Sequence, residues 1–111
     1  MFLEHVMGIG MQVVFLGFPG SLVLEAEAGA QLVRLERFGR KISGCNLTLQ
    51  AFSQRPGMLS YGAQLDLIAL NGPLLAMAQC ANADPLRAVE AAFDAAETEL
   101  SRGGPIVLAT N

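Results

Sequence analysis

The spacing of apolar positions changes period several times along the chain, and each change marks an element. Met11 to Phe18 (M-Q-V-V-F-L-G-F) is a β-branched and aromatic run closed by Pro19-Gly20, which predicts a strand and a turn. Ser21 can cap a helix in which Leu24, Ala28, Gln31, Leu32, Leu35 and Phe38 recur near a period of 3.6, ending near Gly39. From Ile42 the period becomes two: Cys45, Leu47, Leu49 and Ala51 point one way, and Asn46, Thr48 and Gln50 the other. Gln54-Arg55-Pro56-Gly57 signals a turn, after which Tyr61, Ala63, Leu65, Leu67 and Ala69 resume the alternation. Asn71-Gly72-Pro73 predicts a tight hairpin and Leu74 to Cys80 a fourth strand. Asp84-Pro85 opens a second helix with a stripe of Leu86, Val89, Phe93, Ala96 and Leu100, which Gly103-Gly104-Pro105 ends.

The order β-α-β-β-β-α predicts an α+β fold. Strands one and two, joined through a helix, should run parallel with a right-handed crossover, and strands two to four should form an antiparallel meander. The result is a four-stranded mixed sheet with both helices on one face, its other face left to solvent or a partner. A single domain is expected over residues 11–102, with residues 1–10 as an N-terminal extension and 103–111 as an apolar-containing tail.

Composition narrows the function. In 111 residues with 52% apolar content there is enough material for one core without metal or disulfide staples. Mean hydropathy is high, +0.43, but no run approaches the roughly 18 to 20 apolar residues of a spanning helix. Met1 to Gly10 lacks the basic start of a secretory signal, so the expected location is cytoplasmic and no membrane partner is expected. Cys45 and Cys80 are far apart within apolar runs and read as core residues; with His5 the one histidine, neither a metal site nor a His-based catalytic pair is expected. Glu25/Glu27 and Glu97/Glu99, two apart on helices, point to different faces and make no convergent acid–base pair. Gly8-Ile9-Gly10 lacks the third glycine and the preceding strand of a dinucleotide site. Ser21, Ser43, Ser53, Ser60 and Ser101 have no histidine near them in sequence to activate them. The reading is of a protein that is not an enzyme, with no cofactor and no small-molecule substrate.

Several stretches carry a family resemblance: M-Q-V-V-F at residue 11, L-V-R-L-E-R-F-G-R-K-I over Leu32 to Ile42, Y-G-A-Q-L-D-L at Tyr61, and A-M-A ahead of D-P-L-R-A-V-E-A-A-F-D at Asp84. In order and spacing, over residues 11 to about 102, they resemble the ribosome hibernation-promoting and ribosome-associated inhibitor family. The resemblance implies a domain similar to double-stranded RNA-binding folds that sits near the decoding region of the small ribosomal subunit and blocks messenger and transfer RNA, a translation regulator of the stress response. It also implies Met11 as a natural start.

The chemistry for rRNA binding is uneven. Arg34, Arg37 and Lys41 are expected to cluster opposite the Leu24, Ala28, Leu35 and Phe38 stripe, with Arg40 beside them; cations there also suit the negative end of the helix dipole. With Arg87 these are the candidate nucleic-acid contacts. The net charge of −3 and the second helix, with Glu90, Asp94, Glu97 and Glu99, depart from the family's basic pattern and predict weakened binding. An alternative reading is a divergent member without RNA affinity, acting as a homodimer or protein-binding module through Ile68, Leu75 and Met77 on the outer sheet face.

Overall fold

In a computed structural model the backbone is described for residues 10–39, 42–70 and 74–101, and the side chains of these except Gln54 and residues 74–77. The elements are β1 (Gly10–Leu16), α1 (Leu22–Leu35) followed by a 3₁₀ turn (Glu36–Phe38), β2 (Ile42–Arg55), β3 (Met58–Ala69), β4 (Leu74–Asn82) and α2 (Pro85–Ser101). The sheet order is β1-β2-β3-β4. β1 pairs parallel with β2, and β2-β3 and β3-β4 are antiparallel, so the predicted β-α-β-β-β-α mixed sheet is the fold observed.

Local chemistry starts both helices where expected. The Ser21 hydroxyl accepts from the Leu24 amide at 3.1 Å, and the Asp84 carboxylate accepts from the Leu86 amide at 2.9 Å, each satisfying a donor that the first helical turn leaves without a partner. One sheet face carries Cys45, Leu47, Leu49, Ala63, Leu65 and Leu67, all at most 2% exposed. Leu24, Ala28 and Leu35 of α1 and Val89, Phe93, Ala96 and Leu100 of α2 close over them in one cluster. Ala88 and Ala92, absent from the predicted stripe, are also fully buried. Their small size lets α2 lie close to α1 and the sheet.

The central hairpin is longer than predicted. Arg55 pairs directly with Met58, so Pro56 and Gly57 are the two turn residues, with Gly57 at φ +79° in the region a type II turn demands of glycine. β1 pairs only as far as Gln50 and β4 only as far as Tyr61. The hairpin beyond them is a two-stranded arm with Phe52, Met58 and Leu59 exposed.

Between β1 and α1 the chain turns back at Gly20, φ +73°, where a Cβ would overlap the Phe15 ring. That ring cannot easily yield: it stacks edge-on with Phe18 at 5.5 Å, and Phe18 in turn with Tyr61 at 5.1 Å. Gly20→Ala should therefore cost about 1 to 3 kcal/mol from backbone strain and displaced aromatics. Urea unfolding measures it, and an unchanged midpoint would show that this turn relaxes freely.

Candidate nucleic-acid interface

The end of α1 gathers the charge. Arg34 stands in the last turn of the helix, and Arg37 follows in the 3₁₀ turn. Arg34 is not opposite the buried stripe as the spacing suggested but at its edge: at 100° per residue it lies only about 40° from Phe38, one turn on. Its guanidinium consequently reaches α2. Nη2 is 2.7 Å from Asp94 Oδ1, and both Nε and Nη2 donate to Glu97 Oε1. Nη1 donates to Gln31 on α1 itself. Hydrogen bonds donated to Glu97 and then to Asp94, with the charges of both, raise the Arg34 pKa further above its ordinary value, so it is a permanent cation.

Arg37 is more open. Its Nη2 is 3.1 Å from Glu97 Oε2 and donates to Ser101 Oγ at 3.2 Å, while the guanidinium carbon lies 4.7 Å from the Phe38 ring centroid. Its side chain stays 60% exposed, leaving donors free to meet an anion.

The other predicted contacts distribute differently. Arg40 and Lys41 lie outside the described residues, between Gly39 and Ile42. Arg87 is exposed but not part of this cluster, since it stands ten positions before Glu97, about 15 Å along the α2 axis. Two of the acidic residues of α2 that depart from a basic pattern, Asp94 and Glu97, are direct partners of the α1 arginines. A signal for this existed: Glu97 follows Phe93 by four and precedes Leu100 by three, which places it beside the buried stripe and toward α1.

The outer sheet face has another character. Gln79 Nε2 donates to Gln64 Oε1 at 2.9 Å, and Gln64 Nε2 donates to Asp66 Oδ1 at 3.2 Å, an amide ladder across β3 and β4. Beside it a shallow depression of about 310 Å³ opens over Gly62, lined by Thr48, Gln50, Phe52, Gln64 and Gln79. Across the four-stranded part of this face the described residues include no lysine or arginine, so it is poorly suited to phosphate. Ile68 is half-buried here. Leu75 and Met77 are in β4, Met77 opposite Asp66 in register, but their side chains lie outside the described residues. A register shift between Leu67 and Ile68 sets Ile68 against Leu74.

The cysteines offer little reactivity. Cys45 is buried under the helices, and burial pushes its thiol up to about 12, far from the thiolate form. Burial, and then the charge of Asp94, also raise the half-buried Cys80. Among the described residues no group of three His, Cys, Asp or Glu side chains could hold a metal ion, and no described helix is long and apolar enough to cross a membrane.

Comparison with solved structures finds this architecture elsewhere. A ribosomal subunit interface protein from Coxiella burnetii superposes with a TM-score of 0.68 at 18% identity, over 85% of this chain and 96% of that one. The N-terminal domain of Protein Y from Thermus thermophilus superposes with a TM-score of 0.60 at 22% identity, over 86% of this chain and 98% of that one. The chain shares their fold. The architecture implied by the sequence resemblance is thus met, over nearly the whole length of both proteins. No protein-family model and no curated protein matches the chain.

Proposed function

We propose that the chain is a ribosome-associated translation modulator of the hibernation-factor kind, which acts in the cytoplasm by occupying the decoding region of the small subunit rather than by chemistry. The observation that carries this reading is the fold shared over 85% of the chain with a protein named for the ribosomal subunit interface, joined to the sequence resemblance over residues 11 to about 102. The end of α1 supplies the chemistry. Arg34 and Arg37 present guanidinium groups there, Arg40 and Lys41 follow within four residues, and forked N–H donors suit phosphate oxygens. Arg87 would be a separate, more distant contact. The amide-rich outer sheet face, without described cations over its four strands, would face away from rRNA.

Co-sedimentation with purified small subunits over a salt series tests the proposal. Binding that persists at physiological ionic strength, with a salt slope of about two to four phosphates, supports it. Absence of binding even at low salt would remove it.

A second reading has one observation in its favour. Val14 and Leu16 lie on the outer face of β1, 43% and 44% exposed, with half-buried Ile68 on the same face two strands away, in line with the Gly10 end of β1, and apolar residues on an open sheet often meet another protein. With Leu75 and Met77 they would form the interface of a dimeric or partner-binding module, and failure to bind subunits would favour it.

A further inference from the structure

The carboxylate of Glu97 occupies N–H donors of Arg34 and lies against Arg37, the groups a phosphate would need. Its Oε1 accepts from Arg34 and its Oε2 is 3.1 Å from Arg37, so one anion engages both arginines. Asp94 Oδ1 adds a second negative charge at 2.7 Å from Arg34. A carboxylate and a phosphate both present paired oxygens to a guanidinium fork, and they compete for the same N–H donors.

We propose that Asp94 and Glu97 form a built-in competitor for phosphate, which holds the α1 arginines and sets how strongly this domain binds RNA. The inference rests on the proposed ribosome-associated role and specifies how its binding site is regulated.

Three observations support it. First, the competitor stays close: Glu97 is flanked on α2 by the buried residues Phe93, Ala96 and Leu100, so its backbone is held by the packed helix even when its side chain turns away. Second, the two outer contacts, Arg34–Asp94 and Arg37–Glu97, are open to exchange, whereas the Arg34–Glu97 pair is the more buried, 35% and 25% exposed. Arg37 and Asp94 are 60% and 64% exposed at the side chain, and ion pairs of such exposure are individually weak, so an incoming phosphate array can displace them. Third, displacement does not remove the charges. Both carboxylates stay within a few ångströms of any phosphate on Arg34, and their repulsion persists in the bound state. Binding is therefore weakened twice, by competition and by residual repulsion.

The test uses the full chain carrying Asp94→Asn and Glu97→Gln together, with a short RNA duplex and purified small subunits as separate probes. Amides keep the shape and can still accept hydrogen bonds, so the fold should persist, as circular dichroism would show. The expected result is about tenfold tighter duplex binding near 0.1 M salt and a salt slope steeper by roughly one to two phosphates. Adding Arg34→Gln and Arg37→Gln should cancel the gain. Asp94→Asn alone, at the more exposed position, should give a smaller gain, about threefold, and serves if the double variant does not fold.

The outcomes separate the two claims. A gain on the duplex without binding to subunits upholds the competitor and sinks the ribosomal role. Subunit binding by the unaltered protein that neither tightens nor steepens in the variant overturns the competitor and leaves the role intact. No binding by any form to either probe overturns both.

Discussion

Phe93→Ala is expected to remove about 3 to 5 kcal/mol of folding stability. Phe93 is fully buried on α2 and is the largest of the wholly buried side chains among the described residues. It fills the space where α2 lies over β3 and β4, so truncation both loses transfer free energy and leaves a cavity bounded by helix and sheet. Domains of this size have about 5 to 15 kcal/mol in total, so the variant should be close to unfolding at 37 °C. Urea denaturation followed by circular dichroism measures the loss. A loss under about 1 kcal/mol would mean that α2 does not depend on this contact to hold the sheet. Phe93→Leu, which keeps most of the volume, should fall well short of the alanine effect.

Reversing Arg37 and Lys41 to glutamate should abolish detectable association with small subunits near 0.1 M salt while leaving the fold in place. Each neutralised phosphate contributes about 0.7 to 0.9 log units per tenfold of salt below 1 M, so losing two contacts costs roughly 25- to 60-fold before repulsion is counted. A new carboxylate at position 37, beside Glu97, adds that repulsion. Arg37 is largely exposed and its ion pair is of the weak surface kind, so its loss should reduce stability by no more than about 1 kcal/mol. Sedimentation with subunits, paired with a thermal melt, checks both halves. Undiminished sedimentation would take the α1 end out of the proposed mechanism.

Much of this architecture could be read from residue order because local and long-range preferences agree. The alternation from Cys45 to Leu49 and from Ala63 to Leu67 is the buried face of β2 and β3 without exception. Ser21 and Asp84 cap the helices they were expected to cap. What was misjudged depends on three-dimensional neighbours. Gln54-Arg55-Pro56-Gly57 looks like a four-residue turn, but the strands continue pairing up to Arg55 and Met58, because a Pro-Gly pair alone suffices to reverse the chain. Ala88 and Ala92 carry too little hydrophobic signal to stand out from the stripe, although α2 buries them completely. Arg34 was grouped with Arg37 and Lys41 opposite the core from their spacing on α1, although it stands at the edge of the buried stripe. The carboxylates of α2 supply an alternative to water, and no pattern confined to α1 could reveal them.

The parallel pairing of β1 sets an order of events in time. Gly10 pairs with Gly44 and Leu16 with Gln50, so each residue of β1 is synthesised 34 positions ahead of its partner, at the far side of an entire helix. The β2-β3-β4 meander, by contrast, closes through short turns and can zip as soon as its strands exist. During chain growth Val13, Phe15 and their neighbours therefore wait as an unpaired, β-prone segment until the meander offers them an edge. Even in the finished domain β1, like β4 at the other margin, has a single neighbour, so its amides should open to hydrogen exchange more readily than those of β2 and β3 in the four-stranded part of the sheet.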